Sequence, residues 1–196
     1  PLLVGGLVRS DLPIDRIDTN QAACVGQLVS HLHKLGHRRI GYVAWGHHLS
    51  WEYQRFYGYL QGLHSTGLNF DGGLVINLNG HLLLQDQEAE EIARLTREGV
   101  TAWVCAADHI AYHLGRGLAN CGLHVGRDVS LTGYDGMTTP PDCPSMTTIR
   151  VPFREMGFAA LRRLVLRVRE PAALVRDVVL RGELVIGKST AKPATT

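Results

Sequence analysis

The chain has 196 residues, 45% of them hydrophobic, with 20 basic side chains against 18 acidic ones and a formal charge of +2. That hydrophobic share excludes a disordered chain, and a near-balanced charge whose only basic knot is His37-Arg38-Arg39 offers no face for duplex phosphates. Cys24, Cys105, Cys121 and Cys143 form no Cys-x-x-Cys pair, which argues against a zinc site or a disulfide scaffold, and no apolar run nears the ~20 residues of a membrane span.

Residues 1–8 read as a strand entered mid-fold, with 2–4 as its apolar part, and 10–13 as a loop. Asp18 or Thr19 then caps a helix in which Ala22, Val25, Leu28, Val29 and Leu32 recur at helical spacing, and Gly36 ends it. Residues 40–45 form the continuous apolar run of a parallel strand covered on both faces, followed by a loop at 47–50. From Trp51, the positions Tyr53, Phe56, Tyr57, Leu60 and Leu63 predict an amphipathic helix closing near Gly67. The unit repeats, with strand 74–78, helix 84–98 and strand 101–106. Asp108 then caps a helix carrying Ile110, Ala111, Leu114 and Leu118, which stops at Gly122. This alternation predicts βαβ units and a parallel sheet.

Residues 129–157 organise the remainder. Residues 129–133 read as a buried strand, Tyr134-Asp135-Gly136 as a turn, and Pro140, Pro141 and Pro144 forbid regular structure after it. A strand at 147–151 follows, and Pro152 opens a helix over 153–169 with Met156, Ala160, Leu164 and Val168 on one stripe. A last strand spans 178–186, and 192–196 form a polar tail. An acidic residue therefore stands just past a strand end, immediately before a crossover, where open α/β sheets bind ligands.

Arg55, Asp108 and Asp135 each follow the carboxyl end of a predicted strand. Arginine presents a planar fork of donors and an ionised Asp accepts from hydroxyls, so the three suit a sugar or nucleoside, with Trp51 and Tyr134 giving an apolar face to its ring. His47 and His48 lie in a loop on the same side and are further candidates for ligand contact. His109 and His113 have the i, i+4 spacing of metal ligands, although a solvated helix face has it too. Gly182 to Ser189 fits the letters of a phosphate-binding loop, but its middle reads as strand and only seven residues follow, which leaves no room for the helix that loop needs. No nucleophile elbow and no supported acid/base pair of carboxylates is present in the sequence, so an enzyme is not expected.

Four pieces recur in order: LGHRRIGYV at 35–43, TAWVCAAD at 101–108, the GYD, TTI and MG pattern within 129–157, and RGELVIGKST at 181–190. Together they resemble the effector-binding half of lactose/galactose-type (LacI/GalR) bacterial transcription repressors. The resemblance implies an α/β fold of two-lobed, periplasmic-binding-protein-like (type I) form, with parallel sheets flanked by helices and an incomplete first lobe. It divides the chain into a partial N-terminal lobe at 1–37, a C-terminal lobe at 38–136, a crossover and return at 137–175, a last C-lobe strand at 176–190 and a tail at 191–196. It also implies a sugar-like effector held by Arg55, in the pattern Arg55-x-x-Gly58, and by Asp135. A cytoplasmic homodimer without cofactor, bound to operator DNA through an upstream headpiece, completes the expectation. Ala107 departs from the family, which usually carries Asn there. The alternative of the same fold is a periplasmic sugar-binding protein of an uptake system.

Overall fold

The computed structural model describes residues 2–4, 14–46, 49–81 and 84–194, so the expected loop at 10–13 and the candidates His47 and His48 lie outside the described residues. In chain order the elements are β1 (Leu2–Val4), β2 (Asp15–Thr19), α1 (Gln21–Leu35), β3 (Ile40–Ala44), α2 (Ser50–Ser65), β4 (Val75–Asn77), α3 (Asp86–Arg97), β5 (Ala102–Cys105) and α4 (Asp108–Asn120). They continue as β6 (Ser130–Asp135), β7 (Thr147–Arg150), α5 (Phe153–Arg169), β8 (Asp177–Leu180) and β9 (Glu183–Val185).

Two sheets result. The smaller is parallel, in the order β1-β2-β8, and α5 packs on β1 and β2. The larger has the order β4-β3-β5-β6-β7-β9, parallel except for β9, which pairs antiparallel with β7 at one edge. Its central strands are the apolar runs of the sequence, with Tyr42, Val43, Trp103, Val104 and Leu131 fully enclosed. Helices α1 and α2 pack against each other on one face. Helices α3 and α4 pair on the opposite one, because the chain steps outward from β3 to β4 and then turns back past β3 to β5, and right-handed crossovers in opposite directions lie on opposite faces. Asn20 caps α1 by accepting from the Ala23 amide, and Gly36 ends it in a left-handed conformation, φ 110°.

One close approach sets the geometry of the site. A Cβ on Gly58 would stand 2.3 Å from the carbonyl oxygen of Ala22, so only glycine lets α2 lie this near the start of α1.

Several expectations are corrected. The α1 helix packs against α2 and the larger sheet, so 1–37 is not one lobe. The strand at 147–150 lies within the larger sheet, between β6 and β9. The strand expected at 178–186 is two strands, β8 in the small sheet and β9 in the large one, separated at Arg181-Gly182 where the chain changes sheets. The lobes therefore exchange chain at three places, 19–21, 151–152 and 181–182.

Strand β2 has no counterpart in the sequence reading because Asp-Arg-Ile-Asp-Thr looks like a loop. Its alternate residues Asp15, Ile17 and Thr19 are nonetheless buried. Asp15 is tolerated inside because Arg163 Nε and Arg167 Nε each reach its carboxylate at 2.7 Å and the Arg176 amide at 2.9 Å. These ion pairs, and not the predicted apolar stripe, set the inward face of α5. Met156 is buried, but Leu164 and Val168 are 46% and 81% exposed. Likewise Tyr53 and Tyr57 point outward from α2, whose inner face carries Glu52, Arg55, Tyr59 and Leu63.

The segment with phosphate-loop letters is knitted into the larger sheet. Ser189 Oγ donates to the Leu131 carbonyl at 2.7 Å and accepts from the Thr147 amide at 2.8 Å.

Candidate functional site

Between the two sheets lies a cleft of about 220 Å³. Asp18, Thr19 and Gln21 enter from the first crossing, and Val151, Phe153 and Met156 from the second. The larger sheet contributes Trp45 after β3, Trp51 and Arg55 on α2, Ala107 and His109 at the start of α4, and Asp135 at the end of β6. Strand ends of a parallel sheet thus converge on one wall, as expected of a ligand site in this class of fold.

Arg55 is the centre of the cleft. Its guanidinium lies between two aromatic rings, 4.4 Å from the Trp51 centroid and 3.7 Å from that of Tyr134. It donates to Gln21 Oε1 at 2.8 Å, to the Ala106 carbonyl at 2.5 Å and to Asp135 Oδ1 at 3.2 Å. The side chain is therefore stacked and hydrogen-bonded into one orientation. Asp135 extends β6 beyond the expected strand end and takes a left-handed φ of 116°, rare for a residue with a side chain. Its carboxyl pKa is raised by burial, against the lowering influence of Arg55.

Tyr134 does not face the cleft. Its ring is fully buried beneath Arg55, and its hydroxyl lies 3.0 Å from Thr19 Oγ1, which links β6 to the end of β2. Of the two aromatic residues expected there, Trp51 lines the cleft and Tyr134 does not, and Phe153 lines it as well. Asp108 is also displaced from its expected role. Fully buried, it accepts from the Met137 amide and the Thr148 hydroxyl, both at 2.6 Å, and so fastens α4 to the loop after β6 and to β7. Burial raises its pKa to about 6, despite those two hydrogen bonds.

Asp18, Gln21, Trp45, His109 and Phe153 line the cleft without having been singled out as effector contacts. The polar run Asp18-Thr19-Asn20-Gln21 ahead of a helix was the available signal, but it reads equally as a helix cap. Burial lowers the His109 pKa, with nearby His113 and Arg55 acting in the same direction, so its ring is neutral at pH 7. Among the described residues no group of three or more His, Cys, Asp or Glu side chains is arranged to hold a metal ion.

This two-sheet frame, with a polar cleft at the crossings, defines a binding-protein fold. Residues 29–190 match the periplasmic binding protein-like domain model. The chain belongs to that family, and within it to the LacI-type effector-binding domains. The HTH-type transcriptional regulator MalR of Streptomyces coelicolor is 32% identical over 89% of the chain and 52% of its own length. The HTH-type transcriptional regulator YvdE of Bacillus subtilis is 26% identical over 97% of the chain and 58% of its own length. The solved transcriptional regulator CelR–cellobiose complex superimposes with a TM-score of 0.80 at 26% identity, covering 96% of this chain and 58% of that one. The chain thus spans a little over half the length of these relatives, which are named as regulators of transcription.

Proposed function

We propose that the cleft binds a small sugar-like effector, and that this domain reports its presence to DNA-binding segments of a LacI-type regulator. The observation that carries the reading is the position of Arg55, stacked on Trp51 and bonded at once to Gln21 at the first crossing and Asp135 of the larger sheet. A ligand in contact with that cluster touches residues at the junction of both lobes. Any difference in its affinity for two lobe arrangements then shifts their populations, and only by that difference.

The likeness to a regulator solved with cellobiose supports a carbohydrate over other polar metabolites. Likeness to HTH-type regulators supports a cytoplasmic homodimer acting on operator DNA, with the DNA contacted outside the matched region. None of the described helices is long and apolar enough to cross a membrane.

The test is thermal unfolding of the full-length gene product against a panel of sugars, sugar phosphates and nucleosides. A ligand at ~100 times its dissociation constant adds about 2.7 kcal/mol, a clear rise in Tm. The rise is expected with a sugar, together with altered operator binding by the same compound; a panel without any shift contradicts the reading.

A further inference from the structure

We infer that Trp45 and His109 form a second polar wall of the cleft, one that reads hydroxyls of an uncharged sugar. The inference rests on the proposed effector site and identifies its ligand class more closely.

Both side chains line the cleft, and their rings meet edge to face, with centroids 5.3 Å apart at 76°. The Trp45 ring also contacts Trp51, at 5.8 Å, so it continues the aromatic surface that supports Arg55. Trp45 Nε1 and His109 Nε2 are shielded from solvent and have no hydrogen-bond partner among the described residues. A buried polar atom left in that state costs about 1–3 kcal/mol, and native folds keep few of them. Here two occur in neighbouring rings on the wall of one cleft. The ring torsions of Trp and His are broad, so a modest tilt turns either nitrogen toward the cleft at little cost.

Their chemistry selects the partner. The indole N–H only donates, whereas the neutral imidazole nitrogen donates or accepts according to tautomer. Ala107, beside His109, presents only a methyl group to the same cleft, so polar recognition on this side falls to the two rings. The same cleft holds the carboxyl groups of Asp18 and Asp135, with Arg55 already bonded to the latter. Carboxyl acceptors and nitrogen donors around an aromatic surface match a ring bearing several hydroxyls. A phosphate ester would bring its charge beside two carboxyl groups and find Arg55, the one guanidinium among the described residues that line the cleft, engaged.

Calorimetric titration of the full-length protein tests this. The probes are cellobiose, glucose and ribose, together with glucose 6-phosphate and ribose 5-phosphate; the variants are Trp45→Phe, His109→Phe and Arg55→Ala. A neutral sugar is expected to bind wild type at least about 10-fold more tightly than its phosphate ester, with Trp45→Phe and His109→Phe each weakening it by about 5- to 15-fold. The same two variants should keep or raise the ligand-free Tm, since each removes an unpaired polar atom; a merely structural role would lower it. If Arg55→Ala loses the sugar while both Phe variants bind it like wild type, the second wall is wrong and the effector site stands. Tighter binding of a phosphate ester overturns the uncharged class. Failure of wild type to bind any of the sugars overturns the site and this inference together.

Discussion

Arg55 Nε donates to Gln21 Oε1 across 2.8 Å, which joins helix α2 of the larger sheet to the first residue of α1, just after the chain leaves the small one. The same guanidinium bonds Asp135, so one side chain secures three segments of the cleft. Arg55→Ala should abolish the ligand-dependent rise in Tm. It should also lower ligand-free stability by about 2 kcal/mol, because Gln21, Asp135 and the Ala106 carbonyl all lose a donor. Urea unfolding with and without ligand separates the two effects, and a variant that still responds fully to ligand would remove Arg55 from the site.

Gly58 carries the next prediction. A methyl group there meets the Ala22 carbonyl, so Gly58→Ala must push α1 and α2 apart and carry Arg55 away from Gln21. A loss of about 1–3 kcal/mol in stability is expected, with a weaker ligand response in the protein that remains folded. Unchanged affinity in that variant would show that the Arg55–Gln21 bond is dispensable.

Asp108 gives the protein a measurable pH dependence. Its folded pKa of about 6 lies above the ordinary value of 3.8, so the folded state holds a proton that the unfolded chain releases. Stability from this group is present below pH 3.8, declines as pH rises toward 6, and has then fallen by about 3 kcal/mol. Asp108→Asn should flatten that decline relative to wild type in denaturation curves taken between pH 4 and 7. An identical slope in both proteins would mean that Asp108 does not titrate there.

Asp15 works with the opposite sign. Burial alone would raise its pKa, but hydrogen bonds from Arg167, the Arg176 amide and Arg163 hold it well below the usual carboxylate range. Its contribution is therefore complete above the unfolded pKa of 3.8 and is lost as the pH falls through the lower folded value. At pH 7, Asp15→Asn leaves two guanidiniums without their anion and should cost about 3–5 kcal/mol in chemical denaturation. A cost below 1 kcal/mol would show that α5 is held to β2 by other contacts.

Fold class was legible because the central strands are uninterrupted apolar runs and the helices between them carry regular spacing, as at Val25, Leu28, Val29 and Leu32. What stayed hidden depends on partners far along the chain. Nothing near Asp15 announces that Arg163 and Arg167 will neutralise it, so β2 reads as a loop. Leu180 and Leu184 look like one strand because no local signal separates two sheets. At the site, Arg55 and Asp135 were visible from their places beyond strand ends. Asp108 occupies an equivalent place, yet a close contact with Gly133 turns it into the interior, where Thr148 and the Met137 amide claim both oxygens. Gln21 and Trp45 gain their meaning only once α1, α2 and α4 meet.

The pairing of β2 with β8 brings Arg16 beside Asp177, 161 residues later. During synthesis, β1 and β2 must wait for most of this chain before β8 can join them. The larger sheet has its parallel core by β7, from much shorter closures, and is expected to form first. Within this chain, the β2–β8 pairing is thus expected to form after the core of the larger sheet, which leaves the edge of β2 open to misassociation meanwhile. A truncation before residue 177 should leave the parallel core of the larger sheet without its β9 edge and the small sheet without β8, and pulsed hydrogen exchange on the refolding protein should show protection of that core before protection of the small sheet.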